Sequence, residues 1–233
     1  MPLATLNLNG ETLQLTPEGA AFRPACRTLV VADLHFEKGS AIAARTRRLA
    51  PPYDTMATLE RLKRLMRRLQ PKRVVALGDS FHDLNGPNRL SPQALRGICS
   101  LTEAVDWIWI EGNHDPLPPK TVGGHGAAEI TIGALVLRHI PATGLATGEI
   151  AGHLHPKASV QTGVRTISGF CYVTDGHRLL LPAFGAYTGG LDVHDPEIRG
   201  RFRKGSRVFL LGRDRLYNFP FSVLSPRVVG LRV

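Results

Sequence analysis

Short runs of apolar residues that end abruptly at polar ones recur along the chain. TLVVADLH, RVVALGDS, DWIWIEGNHD, ALVLRHIP and GEIAGHLHP each begin with small, aromatic or β-branched residues and stop at a carboxylate, amide or imidazole. Continuous apolar runs of this length predict strands that are buried on both faces. The pattern therefore predicts buried strands whose carboxyl ends carry polar side chains.

Alternating and interrupted apolar patterns predict further strands at both ends of the chain. TLNLNGETLQL alternates apolar and polar residues around Asn9-Gly10, a dipeptide that favours a tight hairpin turn. From FCYVTD through RLLLPAFGA to RVFLLGRDRLY, short apolar runs are broken by glycine, proline and aspartate. We expect a second set of strands there.

Two segments have helical periodicity. YDTMATLERLKRLMRRLQP repeats apolar residues every three or four positions and ends at a proline, and SPQALRGICSLTE begins with Ser91 as a cap and Pro92 at the first helical position. Basic residues on the first helix either contact phosphates or form an ordinary solvated face. They are Arg61, Lys63, Arg64, Arg67 and Arg68.

Length and composition favour one α/β domain over residues 1–233, since no linker, repeat or low-complexity stretch interrupts the chain. The sequence shows neither a signal peptide nor a membrane span, and its three cysteines form no CxxC motif, so we expect a cytoplasmic protein without membrane contact. The net charge of +10 favours a polyanionic partner such as nucleic acid.

The polar strand ends carry oxygen and imidazole ligands for divalent metals. His153 and His155 in GHLH would point to the same side of an extended strand end; the alternative is a polar loop whose histidines face water. Glycine precedes a ligand in GD, GNHD and GHLH, which suits a sharp turn or a close backbone approach. The candidate ligands and neighbouring groups are Asp33, His35, Asp79, Asn113, His114, Asp115, His139, His153 and His155.

DLH, GDSFHD, GNHD, the isolated His139 and GHLH resemble the motifs of the calcineurin-like metallophosphoesterases over residues 33–155. ADLHFEKG, the PP-Y segment, GDSFHD and LPAFGAYTGGLD further resemble the bacterial DNA-ligase-associated DNA damage response endonucleases over nearly the whole chain. This resemblance implies a four-layer α/β/β/α sandwich of two mixed β-sheets, with a dimetal site at the sheet ends.

The resemblance also implies residue roles. It assigns Asp33, His35 and His155 to one ion, and Asn113, His139 and His153 to the other, with Asp79 as the bridge. His114 would be the general acid. Apart from the resemblance, the next residue, Asp115, could orient the His114 imidazole, as carboxylates do for imidazoles near metals. Mn²⁺ is the expected metal, because the ligand set has oxygen and imidazole but no thiolate; Zn²⁺, Fe and Mg²⁺ are the alternatives.

Several other residues have open or structural interpretations. His82 and Asp83 are either partners of the Asp79 ligand or loop residues, and only the resemblance suggests that Glu37 and Lys38 meet substrate. The remaining expectations are structural. His125, His177 and His194 are expected at the surface or in structural roles, Arg138 in packing or solvation, and Trp107 and Trp109 in the core.

The sequence is consistent with three functions. The first is a dimetal phosphodiesterase that acts on DNA as a repair endonuclease, for which the resemblance implies a DNA ligase, a helicase and an exonuclease as partners. The second keeps the chemistry but acts on small or cyclic nucleotide phosphodiesters. The third is a scaffold without activity, which the complete set of motif residues disfavours. The substrate range, endo or exo action and oligomeric state are not readable from the sequence.

Overall fold

Two β-sheets stack face to face in the structure, a computed structural model that describes residues 2–46, 53–115 and 120–226. In the described part of the chain, the first sheet has seven strands in chain order. Successive strands are antiparallel from the first to the fourth and parallel from the fourth to the seventh. They are β1 (Ala4–Leu8), β2 (Glu11–Leu15), β3 (Ala21–Arg23), β4 (Thr28–Ala32), β5 (Arg73–Leu77), β6 (Asp106–Ile110) and β7 (His125–Ala127).

The second sheet is also mixed. Its strands are β8 (Glu129–Ile132), β9 (Leu135–Arg138), β10 (Glu149–Ala151), β11 (Lys157–Thr162), β12 (Arg165–Thr174), β13 (Arg178–Leu180), β14 (Arg207–Leu211), β15 (Leu216–Pro220) and β16 (Leu224–Ser225). Seven of them follow the order β15-β14-β12-β13-β10-β9-β8, while β11 pairs with β12 and β16. Strand β10 is parallel to both β9 and β13. The prediction of two mixed sheets is therefore confirmed.

Helices cover the outer faces unequally. The described helices are α1 (Lys38–Thr46), α2 (Asp54–Leu69), α3 (Gly86–Arg89), α4 (Pro92–Thr102) and α5 (Pro196–Arg199), with 3-10 turns at Pro24–Cys26, Lys120–Val122 and Phe221–Val223. Helices α2 and α4 pack Leu62 and Ile98 against the first sheet. On the second sheet, Ile198 of α5 and Phe202 of the following loop pack over Val173. The α/β/β/α order holds, but loops form most of the fourth layer.

The apolar runs form the core between the sheets. Leu13 and Val75 of the first sheet and Leu137 and Tyr172 of the second belong to one buried cluster. Burying these side chains removes apolar area from water at roughly 25 cal/mol per Å². Strands β4 to β6 also bury their outer faces beneath α2 and α4, which explains why their sequences are apolar at nearly every position.

The local sequence patterns formed the predicted elements. Asn9 and Gly10 have φ angles of 50° and 83°, as a two-residue hairpin turn between β1 and β2 requires. The hydroxyl of Ser91 accepts a hydrogen bond from the N–H of Ala94 at 3.1 Å and caps α4. Both tryptophans are buried, Trp107 and Trp109 each being 2% exposed, so their prediction as core residues is confirmed.

A buried ion pair fixes the loop between β9 and β10. Arg178 is fully buried and donates to the carboxylate of Glu149 and to the carbonyl oxygens of Ala142 at 2.8 Å and Gly144 at 2.9 Å. Because a buried guanidinium must be paired, removal of either partner would cost several kcal/mol, roughly 3–5. This pair thus holds the loop that follows His139.

Candidate metal centre

The candidate ligands follow the carboxyl ends of five strands. Asp33 and His35 follow β4, Asp79 follows β5, Asn113 to Asp115 follow β6, His139 follows β9, and His153 and His155 follow β10. Parallel strands place their carboxyl ends at a common edge, and β4 to β6 and β9 to β10 are parallel. The structure thus brings the sequence-predicted ligands together at one end of the sandwich.

Five of the seven candidate ligands have a left-handed rather than an extended backbone. The φ angles are 54° at Asp33, 44° at His35, 45° at Asp79, 71° at His153 and 45° at His155. Such angles are uncommon in residues other than glycine and are retained at functional sites. The interpretation of GHLH as an extended strand end with both histidines on one side is therefore wrong, because β10 stops at Ala151 and the chain turns at His153 and His155.

Asp33, His35 and His155 form the first of two clusters that could hold a metal ion. The Nε2 atom of His155 lies 3.2 Å from Oδ1 of Asp33 and 3.4 Å from Nε2 of His35. Oδ1 of Asp33 is buried and forms no hydrogen bond among the described residues. Two facing imidazole nitrogens beside a carboxylate oxygen without a donor are the ligands that a divalent cation would satisfy.

Asp79, His139 and His153 form the second cluster, and Asn113 extends it. The Nε2 atom of His139 lies 3.0 Å from Oδ1 of Asn113 and 3.4 Å from Oδ1 of Asp79. Nδ1 of His139 faces the carbonyl oxygen of Leu77 at 2.9 Å. A carbonyl acceptor at Nδ1 leaves the Nε2 lone pair for a metal, the usual arrangement of histidine ligands.

The two clusters are neighbours, since Nδ1 of His139 lies 3.8 Å from Oδ1 of Asp33. His153 and His155 therefore contribute to different clusters, although only Leu154 separates them. The structure groups Asp79 with the second cluster, and its bridging of two ions stays a prediction.

Glycines before the ligands permit close packing between strand ends. A Cβ atom at Gly78 would lie 2.4 Å from the His139 ring, at Gly112 2.4 Å from Oδ1 of Asp79, and at Gly152 2.6 Å from Oδ2 of Asp33. No real Cβ contact is that short, so these positions require glycine. Each glycine thus makes room for a ligand that comes from a different strand.

Electrostatics in the two clusters favour the metal-binding forms of His35 and Asp79 but not that of His139. Burial lowers the pKa of His35 to about 3, an effect that the charge of nearby Asp33 opposes, so its imidazole is neutral at pH 7. Burial alone would raise the pKa of Asp79, but the hydrogen bond and charge of His139 outweigh burial and lower it. For His139, burial lowers the pKa, while Asp79 and Asp33 raise it above the ordinary value. A neutral imidazole and an ionised carboxylate are the forms that bind metals.

His114 lies at the rim of the clusters. Its side chain is 44% exposed, its Nε2 is 3.8 Å from Oδ2 of Asp79, and its backbone N–H donates to Oδ1 of Asp79 at 2.9 Å. The ring stacks on His82 with 5.6 Å between centroids and meets the edge of His35 at 5.6 Å. His114 is thus placed beside the candidate ligands but open to solvent.

Asp115 contacts a different partner from the His114 imidazole that the sequence predicted. Its Oδ2 accepts the backbone N–H of Phe81 at 2.8 Å, and no hydrogen bond joins it to His114 within the described residues. The chain turns between the two residues, so Asp115 points into the protein while His114 faces the rim. Burial raises the pKa of Asp115 to about 7, and the charge of Asp79 adds to this increase. Asp115 therefore holds the segment after Asp79.

Several residues with open interpretations lie near the clusters. Lys38 and His82 line a cavity of about 310 Å³ that also contains His35, Asp79 and His114. Glu37 does not line this cavity. Its carboxylate accepts hydrogen bonds from the hydroxyls of Ser40 at 2.7 Å and Thr55 at 2.9 Å. Asp83 forms a 2.9 Å ion pair with Arg89. Of these residues, Lys38 and His82 are the ones positioned to meet a substrate.

The other predicted positions lie away from the clusters. Arg138 pairs with Glu129 at 2.6 Å, His125 is exposed, and His194 bonds Asp192 at 2.8 Å. The carbonyl oxygen of His177 accepts a hydrogen bond from the N–H of Gly148. These contacts are structural, as the sequence predicted.

The basic residues of α2 do not form one free face. The guanidinium of Arg61 packs 4.3 Å from the ring centre of Phe184, and Lys63 and Arg68 pair with Glu60 and Glu18. Arg64 and Arg67 are exposed and have no acidic partner among the described residues. The predicted set of five is thus reduced to two solvated arginines.

The loop after β13 approaches the candidate ligands, although its sequence contains none of them. A Cβ atom at Gly190 would lie 2.2 Å from the carbonyl oxygen of His155, and one at Gly185 would lie 2.1 Å from that of Leu34. Gly189 to Leu191 also line the cavity that contains the ligands. The Gly-Gly pair in YTGGLD was the available signal; Pro51 and Pro52 of the PP-Y segment lie outside the described residues.

Among the described helices, none has the length and apolar character of a membrane span.

Comparisons with known proteins agree with the geometry. The family model described as calcineurin-like phosphoesterase matches residues 26–172. The nuclease MPE of Pseudomonas putida is similar in structure, with a TM-score of 0.71 and 26% identity over 94% of this chain and 100% of that one. The phosphoesterase Yfce of Escherichia coli has a TM-score of 0.39 and 13% identity over 82% of this chain and 97% of that one. No curated protein matches the sequence significantly.

Proposed function

The chain belongs to the calcineurin-like phosphoesterase family, and from that membership we propose that it is a dimetal phosphodiesterase that cleaves DNA internally in DNA repair. The observation that carries this proposal is the pair of adjoining ligand clusters with His114 at their rim. Similarity to a nuclease over 94% of the chain supports nucleic acid as the substrate. The net charge of +10 supports it as well.

Two divalent ions would be held by the two clusters. Asp33, His35 and His155 would hold one ion, and Asp79, His139 and His153, with Asn113, would hold the other. Bound ions would supply an activated water and neutralise charge on the phosphoryl oxygens. We propose Mn²⁺, because every donor is a carboxylate or amide oxygen or an imidazole nitrogen.

The chain's own residues would complete the reaction. His114 is exposed enough to meet a substrate, and its backbone is fixed by Asp79, so a protonated imidazole there can donate to the leaving oxygen. Lys38 lines the same cavity, where its ammonium can pair with a phosphate oxygen. Asp115 fixes the backbone of Phe81 and thereby the loop that carries Asp79.

The direct test is purified protein with Mn²⁺ on supercoiled plasmid, on linear single strands and on bis(p-nitrophenyl) phosphate. We expect cleavage of all three substrates and no cleavage after chelation. Nicking of closed circles would establish internal cleavage. Hydrolysis of the small diester without cleavage of DNA would instead support the second candidate, a phosphodiesterase for small or cyclic nucleotides.

The role of His114 needs a separate variant. His114→Ala should keep its metal content and lose about 10²–10⁴-fold in turnover. His125→Ala is a matched control, because His125 is exposed and lies away from the clusters. Unchanged turnover in His114→Ala, or loss of bound metal from it, would remove His114 from this role.

A further inference from the structure

A second cavity adjoins the metal centre on the side of His114. It has a volume of about 570 Å³ and is lined by Asn113 and His114 where it meets the candidate ligands. This volume lies within the range of small-molecule sites, about 300–1,000 Å³. His114 lines both this cavity and the cavity that contains the ligands, so the two are adjacent.

One wall of this second cavity is apolar. It is formed by Ala41 and Ala44 of α1 and by Leu84, whose side chain is 70% exposed. Single exposed leucines are common on protein surfaces, but this one stands at the edge of a cavity that leads to a polar centre. A flat apolar group bound there would cover Leu84 from water.

Other residues that line this cavity are polar and are held in place by hydrogen bonds. The Nε atom of Arg89 donates to Oγ of Ser40 at 3.0 Å, and its Nη2 donates to Asp83 at 2.9 Å. Nη1 of Arg89 and the side-chain amide of Asn85 form no hydrogen bond within the described residues. These groups can meet the polar edge of a base or a sugar–phosphate oxygen.

We propose that this cavity binds the nucleoside next to the scissile phosphate, with its base against Leu84. The inference rests on the proposed function, because it concerns how the same centre positions a nucleic acid. Apolar side chains, an amide and a guanidinium in one cavity that borders the metal centre at His114 match the base, the sugar and the phosphate of one nucleotide. Leu84 is thus a specificity residue rather than a member of the metal centre.

The test compares two oligonucleotides that differ in their bases alone. Fluorescein-labelled oligothymidylate and an abasic strand of the same length are titrated with metal-free wild type and with Leu84→Ser. We expect the variant to bind oligothymidylate on the order of ten-fold more weakly, because apolar contact with the base is lost. Binding of the abasic strand should stay within about twofold, because the phosphates are unchanged.

Two further variants separate this contact from a general loss of structure. Leu84→Phe should bind oligothymidylate at least as tightly as wild type, since an aromatic ring offers a larger flat surface to the base. Val164→Ser should change neither titration. Val164 is 98% exposed in the turn that follows β11, a six-residue strand that begins two residues after His155 and leads away from the centre.

The outcomes are distinguishable. Equal weakening of both strands by Leu84→Ser, weakening by Leu84→Phe, or no effect of either would overturn the nucleoside cavity. Rates with Mn²⁺ on DNA and on bis(p-nitrophenyl) phosphate separate the two proposals. If wild type hydrolyses the diester but not DNA, the proposed nuclease function fails; if wild type cleaves DNA and Leu84→Ser cleaves it equally well, only the cavity assignment fails.

Discussion

The backbone N–H of His153 donates to Oδ2 of Asp33 at 3.0 Å, although 120 positions separate the two residues. The same arrangement recurs where the N–H of His114 donates to Oδ1 of Asp79 at 2.9 Å. Each aspartate thus uses one oxygen to fix the segment that follows another strand. The protein itself therefore orients both carboxylates before any ion binds.

Gly152→Ala should disturb this arrangement directly, because a Cβ atom there would lie 2.6 Å from Oδ2 of Asp33. We expect a loss of about 1–3 kcal/mol in stability, typical of overpacking, and a fall in metal content. Thermal unfolding and elemental analysis would measure the two effects. Gly169→Ala is the control, since its Cβ would make only ordinary contacts of 3.5 Å or more; equal behaviour of the two variants would contradict the packing role of Gly152.

Asp79→Asn should lower metal content while the fold is kept. The amide oxygen can still accept the N–H of His114, but the negative charge beside His139 is lost. We expect manganese, measured by elemental analysis after saturation, to fall from two ions per chain to one or none. Asp106→Asn, at the start of β6 and paired with Arg73, should keep both ions. Full occupancy in Asp79→Asn would rule out this aspartate as a ligand.

Asp175 should make stability depend on pH. Burial alone would raise the pKa of Asp175, but N–H groups of Arg203, Arg178 and His177 outweigh burial and lower it. A carboxyl group with a lowered folded-state pKa stabilises the fold above its unfolded value of about 3.9, and this stabilisation is lost as the pH falls through the folded-state pKa.

Asp175→Asn should therefore be less stable than wild type by about 2 kcal/mol near pH 7. The difference in melting temperature should shrink below about pH 4, where the wild-type carboxyl becomes protonated. Asp214→Asn, at an exposed turn, should follow wild type throughout. If the difference in melting temperature between wild type and Asp175→Asn stays constant down to pH 2, the proposed pH dependence of the Asp175 contribution is wrong.

Charge reversal at Arg64 and Arg67 should leave DNA cleavage nearly unchanged. Helix α2 begins near the metal edge, where Asp54 accepts the N–H of Gly39 at 2.9 Å, and Arg67 lies about 20 Å further along the helix. The double variant Arg64→Glu/Arg67→Glu should keep the wild-type rate and salt dependence. Lys38→Gln, by contrast, should weaken cleavage, because Lys38 lines the cavity of the ligands. A steep loss in the double variant would instead place DNA along α2.

The sequence by itself determined the secondary-structure elements and the set of candidate metal ligands. Strands β4, β5 and β6 are apolar at nearly every position because both of their faces are buried, so local sequence suffices to predict them. The Asn9-Gly10 turn and the Ser91 cap are likewise local, since each depends on a few neighbouring residues. The ligands could be listed because they follow these strands and the apolar runs that form β9 and β10.

Patterns along the chain did not determine how the ligands combine; the resemblance assigned them to two ions, and the tertiary structure groups them in space. A period of two holds in extended backbone, and the left-handed angles at His153 and His155 break it, so the two histidines join different clusters. Asp115 contacts Phe81, which precedes it by 34 positions, and Leu84 comes to line a cavity with Ala41. Strand order and the packing of two sheets set these distances between segments far apart in the chain, and a pattern along one segment carries no information about them.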